Sequence, residues 1–300
     1  MKTTLLALAL VLGMVASGWS TTIYTDLLGS GAGGTAVSGT SLIINNGTSN
    51  ARFTVAPANT GAGSGNLDSF LRLEAQGNSE YEKAYNTDDR SYPGSSPEFD
   101  AKKDATFTHS VLLGDLPRVT VGGTEYFELI FDINEPAADN TNKYKPTISL
   151  QELELYVNTT TGAAKNYAGN PANLGTKVWE LDFPVAGVAA DRRIDLDSGI
   201  LGGGSGEYDL IVLFQTSLLA GFADDDFFYL YNELGFIDAI PGFPAESGHE
   251  EWAFFEKAFT PGDNGGGGGG GDPIPEPSTF ILLGSGLLGL FYAGRTRSRS

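Results

Sequence analysis

Apolar side chains recur at every second position in several short segments of the chain. In the segment Tyr126–Asn134, the residues on one face are Phe127, Leu129, Phe131 and Ile133. An apolar period of two places these side chains on one side of an extended strand, while the intervening residues face the other side. The segment is therefore predicted to be a half-buried antiparallel strand.

The same alternation, or a run of apolar and aromatic residues, predicts further strands between residues 21 and 260. These are Ser41–Ile44, Arg52–Val55, Phe70–Glu74, Thr106–Leu113, Val119–Val121, Gln151–Val157, Trp179–Phe183, Tyr208–Phe214 and Phe227–Tyr231. Glycine- and proline-rich turns separate them, and short helical turns are predicted only near Ser217–Ala220 and Glu250–Lys257. About ten strands at this spacing predict one all-β domain, an antiparallel β-sandwich or jelly roll.

The N-terminal residues depart from the strand pattern. Lys2 precedes the uninterrupted apolar run Leu5–Val15, which ends at Ala16-Ser17-Gly18. A positive charge, a short apolar helix and small residues form a secretory signal peptide. We therefore predict that residues 1–18 are a signal helix for the Sec machinery and that signal peptidase cleaves after Gly18, or alternatively after Ser20.

The C-terminal residues depart from it as well. Residues 261–274 contain the seven consecutive glycines Gly265–Gly271 and are predicted to be a flexible linker. Residues 278–294 carry no charge and are predicted to form a short transmembrane helix, about 25 Å long against a hydrocarbon core of about 30 Å. The arginines in residues 295–300 favour the cytoplasmic side for the end of the chain.

A short motif precedes the predicted transmembrane helix. It is Pro275-Glu276-Pro277, and the basic tail beyond the helix contains Arg295, Arg297 and Arg299. This order of motif, helix and basic tail over residues 275–300 resembles the PEP-CTERM sorting signal. The resemblance implies processing by exosortase in a Gram-negative bacterium that makes exopolysaccharide. The precursor would be anchored in the inner membrane, and the product would reach the cell surface or extracellular matrix of a biofilm.

Parts of the predicted sandwich, residues 21–260, resemble the ectodomains of other PEP-CTERM surface proteins. The similar stretches are Tyr85–Asp88, Phe107–Ser110, Tyr126–Asn134, Ile148–Val157, Gly204–Asp209, Tyr229–Tyr231 and Glu250–Ala253. They span most of residues 85–253, so the resemblance implies one domain. It implies no catalytic residues.

The charge and cysteine content of the chain exclude several functions. Among 300 residues, 37 are acidic and 18 are basic, which gives a formal net charge of −19. This charge repels phosphate backbones, so the sequence predicts no nucleic-acid partner. The absence of cysteine excludes disulfides, thiolate metal sites and a cysteine nucleophile.

Clustered aspartates suggest a site for calcium. Asp224, Asp225 and Asp226 follow one another in a predicted loop, and Asp195 and Asp197 share one face of an extended segment. Carboxylate oxygens in loops suit Ca²⁺, which would stabilise an exported domain without disulfides. The alternative is that these residues form an ordinary solvated surface.

No catalytic motif is present in the sequence, and we predict that the protein is not an enzyme. His109 and Ser110 are adjacent, so on a strand their side chains point to opposite faces and do not share a proton. Two classes of function remain. The first is a structural or exopolysaccharide-associated surface protein. The alternative is a surface glycoside hydrolase or another polysaccharide-active enzyme, in which two carboxylates would converge in a cleft.

Overall fold

The computed structural model describes most of the predicted domain. The described residues are 41–45, 50–55, 67–75, 79–88, 100–102, 104–135, 147–160, 171–184, 190–197, 208–236, 242–245 and 248–255, together with the backbone of 21–26. The predicted signal peptide, linker, sorting motif, transmembrane helix and basic tail lie outside these residues. Among the residues that are described, no helix is long and apolar enough to cross a membrane.

The described part of the chain contains fourteen strands. They are β1 Thr21–Asp26, β2 Ser41–Asn45, β3 Asn50–Val55, β4 Leu67–Leu73, β5 Tyr81–Tyr85, β6 Val111–Leu112, β7 Arg118–Val121, β8 Thr124–Asp132, β9 Thr147–Asn158, β10 Thr176–Glu180, β11 Ala190–Asp197, β12 Leu210–Gln215, β13 Phe227–Gly235 and β14 Glu250–Phe255. Short 3-10 turns occupy Leu113–Asp115, Pro171–Leu174 and Thr216–Leu219. The prediction of a β-rich fold is confirmed.

The strands form two sheets. Sheet A has the order β1-β11-β9-β13-β5, with β10 beside β9 and β6 beside β13. Sheet B has the order β2-β3-β12-β8-β14-β4, with β7 beside β8. Within the described strands the pairing is antiparallel, except that β1 runs parallel to β11. This parallel edge pair is a correction to the fully antiparallel sheet that the sequence predicts.

Aromatic side chains join the two sheets face to face. Trp179 of β10 lies 5.0 Å from Phe214 of β12 between ring centroids. Phe228 of β13 lies 6.3 Å from Phe70 of β4 and 5.9 Å from Phe127 of β8. Each such pair adds roughly 0.5–1.5 kcal/mol beyond the area that it buries. The shared core fits the predicted β-sandwich.

The alternation in the sequence assigns faces correctly in the long central strands. Phe127, Leu129, Phe131 and Ile133 are all buried on the inner side of sheet B. In β9, Leu153, Leu155 and Val157 face the core in the same way. Side-chain periodicity decides which face of a strand is buried, and this information is local.

Two local predictions are wrong. Glu250–Lys257 is not a helical turn: residues 250–255 form strand β14, which pairs with both β4 and β8. Thr106–Leu113 is a strand only at Val111–Leu112. Before it the chain turns, because the Asp104 carboxylate accepts a hydrogen bond of 2.9 Å from the backbone N–H of Thr106.

A short segment, Asp100–Lys102, connects the edges of the two sheets. The backbone N–H of Asp100 donates to the carbonyl of Lys83 in sheet A at 3.1 Å, and that of Lys102 donates to the carbonyl of Arg72 in sheet B at 2.8 Å. The Asp100 carboxylate accepts a further bond of 2.9 Å from the Lys83 N–H. The segment therefore closes one side of the sandwich and places Asp100 beside the interior.

Candidate functional site

The outer face of sheet A carries glutamates, tyrosines and lysines. Residues directly opposite each other on paired strands share a face, so the strand register defines this surface. We call it the Tyr–Glu face; its residues are Lys83, Tyr85, Glu152, Glu154, Tyr156, Lys177, Glu180, Tyr229, Tyr231 and Glu233. It lies opposite the face that packs on sheet B.

These side chains form three rows across the strands. The rows are Lys83, Glu233 and Glu152; then Tyr85, Tyr231, Glu154 and Glu180; then Tyr229, Tyr156 and Lys177. The first row sets two carboxyl groups directly against one another, an arrangement that is destabilising if both are ionised.

Lys177 organises one part of the face. Its ammonium group donates to Glu154 at 2.6 Å and to Glu180 at 2.5 Å. Burial acts to lower the pKa of Lys177, but these hydrogen bonds outweigh it and the pKa is raised. The phenol of Tyr156 donates to Glu154 at 2.6 Å, and burial together with this bond raises the pKa of Tyr156. Glu154 is thus held by two donors.

Glu152 and Glu233 make up the other part. Burial, reinforced by the charges of Glu154 and Glu233, raises the pKa of Glu152 to about 8. The phenol of Tyr231 donates to the Glu233 carboxylate. A carboxyl that keeps its proton at neutral pH, opposite one that accepts a hydrogen bond, can act as a proton donor beside a carboxylate.

The tyrosines of this face are buried. Tyr85, Tyr156, Tyr229 and Tyr231 are each at most 2 % exposed. Of the large apolar side chains in the described residues, only Ile43 and Val121 are exposed, and neither is aromatic. A flat strip of exposed aromatic side chains that could stack on sugars is therefore not found among them.

The aspartates predicted to bind calcium on β11 have protein partners. Asp195 accepts two hydrogen bonds from Arg193, at 2.7 and 2.8 Å, and one of 2.6 Å from the Ser149 hydroxyl. Asp197 lies two positions further along the strand, at its last residue, opposite Thr147. The structure thus places Asp195 in a buried ion pair.

The three consecutive aspartates lie in the turn before β13. Asp224 contacts Arg118 at 3.1 Å, Asp225 is exposed, and Asp226 accepts a bond of 2.8 Å from the backbone N–H of Ala223. The structure does not bring them together with Asp195 and Asp197. No group of three or more acidic or histidine side chains within the described ranges is arranged to hold a metal ion. Calcium binding stays a prediction.

His109 and Ser110 have separate partners. His109 Nε2 lies 3.7 Å from Asp68 Oδ1, whereas Ser110 donates through its hydroxyl to Asp88. The other histidine, His249, lies 3.4 Å from Glu74, and burial lowers its pKa. These contacts do not assemble a nucleophile with a base.

Two of the family-like stretches meet in the structure. The Asn86 amide donates to the carbonyls of His109 and Phe228, at 3.2 and 3.0 Å, and its oxygen accepts the Leu230 N–H at 2.7 Å. Asn86 is fully buried, so it satisfies backbone groups of β13 where β5 has ended. The stretches Tyr85–Asp88 and Phe107–Ser110 therefore have a structural role here.

Sequence reasoning missed the Tyr–Glu face as a site. Its signal was present as the polar half of the alternation in Glu152–Tyr156 and in Tyr229–Glu233. The polar positions of an alternating strand are usually solvated. Only the register of β9 against β13 shows that the polar residues of these two segments lie directly opposite each other.

The comparisons with known proteins concern the C-terminal end. The profile of the PEP-CTERM protein-sorting motif matches residues 273–298. No curated protein and no solved structure matches the chain. The predicted likeness of residues 85–253 to PEP-CTERM ectodomains stays a prediction.

The matched residues include Pro275-Glu276-Pro277, the apolar run and the first two arginines of the basic tail, Arg295 and Arg297. Such a motif implies an exported, membrane-anchored precursor that exosortase processes and that is sorted to the cell surface. Residues 273–298 are a PEP-CTERM protein-sorting motif, and they support the assignment of this chain as a PEP-CTERM protein.

Proposed function

We propose that the protein is a structural or exopolysaccharide-associated component of the cell surface or biofilm matrix of a Gram-negative bacterium. The observation that supports this location is the sorting motif at residues 273–298. Export would begin with the Sec machinery and signal peptidase acting on residues 1–18, and exosortase would process the other end. The β-sandwich would then act outside the inner membrane.

The Tyr–Glu face supports association with a polysaccharide. Glu152, Glu233 and Lys83 are half-buried, and Lys177 and Glu180 are 38 % and 26 % exposed. Carboxylates and ammonium groups together accept from and donate to sugar hydroxyls. Because the chain carries a net charge of −19, neutral sugars and amino sugars would bind better than uronic acids.

Binding is tested with the full-length chain in detergent against a neutral glucan, a chitosan and a polyuronate. The double substitution Glu152→Gln and Glu233→Gln should weaken binding at least about tenfold, because the carboxylic acid of Glu152 is lost as a donor and the carboxyl group of Glu233 as an acceptor for sugar hydroxyls. Glu125→Gln on sheet B is the matched control and should bind like the wild type. Equal binding by all three proteins, or binding of the polyuronate alone, would contradict the proposal.

Sorting is tested in an exosortase-containing host by Glu276→Ala. The substitution removes one charge from the motif outside the sandwich, so we expect export and folding to persist while release from the inner membrane is blocked. Fractionation and the size of the product on a denaturing gel measure this. Processing like that of the wild type would show that the motif is not what exosortase reads.

One specific observation favours a second function, glycoside hydrolysis. Glu152 has a pKa of about 8 and lies directly opposite Glu233, so the first would act as general acid and the second as base or nucleophile. Release of reducing ends from the polysaccharide that binds should then be lost in Glu152→Gln and in Glu233→Gln. Binding without any hydrolysis would support the non-enzymatic role.

A further inference from the structure

A pair of glutamates lies between the two sheets. Glu82 is on β5 opposite the buried Leu234, and Glu250 is on β14 opposite the buried Leu73, so each points to the inner face of its own sheet. Their exposed fractions are 0 % and 2 %. The two carboxyl groups are interacting neighbours across the sheet interface, so a hydrogen bond between them requires a proton on one of them.

No donor in the described residues reaches Glu82. Neither of its carboxyl oxygens has a hydrogen-bond partner, and Oε1 of Glu250 has none. The other interactions of Glu250 are with the backbone at its own position and at Asn134. As two carboxylates, the pair would bring two charges together in an apolar interior with nothing between them, which is strongly unfavourable.

The charged groups around the pair are mostly acidic. Asp100 and Glu135 act on Glu82, and Glu74 acts on Glu250, all in the direction that disfavours a second negative charge. The nearby bases are engaged with other acids: Lys102 and His249 lie against Glu74, and Arg72 pairs with Glu251. Lys83 faces away from the core, on the Tyr–Glu face.

One neutral polar group shares this interior. Asn232 is fully buried on the inner face of β13, opposite Ala84 and two residue pairs along from the Leu234–Glu82 pair, and neither polar atom of its amide has a hydrogen-bond partner among the described residues. Its amide supplies no charge, so it does not neutralise the carboxyl pair. Burial of the carboxyl pair therefore requires that one of the two groups carries a proton.

We infer that Glu82 and Glu250 share one proton and that this carboxyl–carboxylate hydrogen bond is a pH-dependent latch between the two sheets. Burial, with the acidic neighbours, raises the pKa of both groups, which is the direction that the latch requires. Its contribution to stability is full below the pKa of an unfolded glutamate and is lost as the pH rises through the folded pKa. Loss of the proton places two charges across the sheet interface and favours separation of the sheets at that edge.

The first test is infrared difference spectroscopy at neutral pH on the full-length chain in detergent. The shared proton gives a protonated-carboxyl band that disappears in Glu82→Gln and equally in Glu250→Gln, and the double variant removes no further band. Glu125→Gln, an exposed acid on β8, leaves the band unchanged. Glu152, whose pKa is raised to about 8, adds the same protonated-carboxyl absorption in every one of these proteins, so it cancels in the difference between variant and wild type. Single variants that leave the protonated-carboxyl absorption of the wild type undiminished would overturn the inference.

The second test is thermal unfolding between about pH 5 and pH 9. A glutamine amide donates to the remaining carboxylate without titrating, so either single variant should fold and lose part of the decline in melting temperature with rising pH. Profiles parallel to that of the wild type would contradict the latch. A rise in melting temperature with Ca²⁺ that both single variants abolish would also contradict it, because a cation would then occupy the place of the proton.

Discussion

Glu154 and Glu82 are both buried glutamates of sheet A, but they lie on opposite faces. Their carboxyl groups are stabilised in different ways. Glu154, whose side chain is 7 % exposed, receives hydrogen bonds from Lys177 and Tyr156 on the Tyr–Glu face. Glu82, which is 0 % exposed, faces the apolar interior and the carboxyl of Glu250. Hydrogen-bond donors favour the charged form of a buried acid, whereas burial without donors favours the protonated form.

The largest expected effect comes from removing the cation of the buried ion pair on β11. Arg193→Met leaves Asp195 buried without its guanidinium partner, and the two side chains are only 11 % and 10 % exposed. Breaking such a pair typically costs about 3 kcal/mol or more of the free energy of unfolding. Urea unfolding measures the change.

The matched control for this prediction is Arg118→Met. Arg118 also contacts acidic residues, but its side chain is 44 % exposed. It should cost at most about 0.5 kcal/mol, since exposed ion pairs contribute little. Equal losses in the two variants would show that burial does not make the Arg193–Asp195 pair more important than the exposed pairs of Arg118.

The second largest expected effect is the change in folding stability with pH that Glu152 causes. Folding raises its pKa from 4.5 to about 8, so its contribution to stability is full below about pH 4.5 and is lost as the pH rises through about 8. Glu152→Gln should therefore stabilise the protein at pH 9 by on the order of 2 kcal/mol, within the roughly 1.4 kcal/mol that each pKa unit allows. Chemical unfolding at low and high pH measures this.

At about pH 4 the same variant should match the wild type, because the carboxyl is then protonated in both folded and unfolded chains. A gain that is the same at both pH values would assign the effect to packing. Glu128, on the outer face of sheet B, has a pKa raised to about 7 by burial and should behave similarly over a lower pH range.

A smaller effect is expected from Lys177→Met. Glu154 and Glu180 lose their shared ammonium group, but Lys177 is 38 % exposed, so water replaces part of the interaction. We expect a loss of about 1 kcal/mol at neutral pH. Lys102→Met is the control, because its pair with Glu74 is 40 % exposed on both sides and should contribute less. Thermal unfolding of both variants at one pH compares them, and an equal loss would contradict the prediction.

The smallest effect is expected at the predicted calcium aspartates of the turn before β13. Asp224 is 80 % exposed, and Asp224→Asn should change the free energy of unfolding by less than about 0.5 kcal/mol in EDTA. If the turn binds calcium, excess Ca²⁺ should raise the melting temperature of the wild type and not of the variant. An identical response of both proteins would exclude Asp224 as a ligand.

The face that each long strand buries could be predicted from the sequence, because alternation along one strand is a local property. Phe127 to Ile133 and Leu153 to Val157 are buried as predicted. Strand β14 could not be predicted, because Glu250–Phe255 is extended only through pairing with β4 and β8 on its two sides. The Tyr–Glu face could not be predicted from the sequence either, since its rows combine residues from four strands.

The sequence by itself determined the β-rich class, the buried face of the central strands and the sorting motif at residues 273–298. Each of these features depends on residues that are close together in the sequence, so their spacing and chemical type are enough to identify it. Only the tertiary structure decided that Glu82 is a neighbour of Glu250. It also decided that Glu152 lies opposite Glu233 and that Asp195 forms an ion pair with Arg193. The ionisation of an acid depends on its burial and on the donors within a few ångströms, and those are fixed by which strands pair and how the sheets pack.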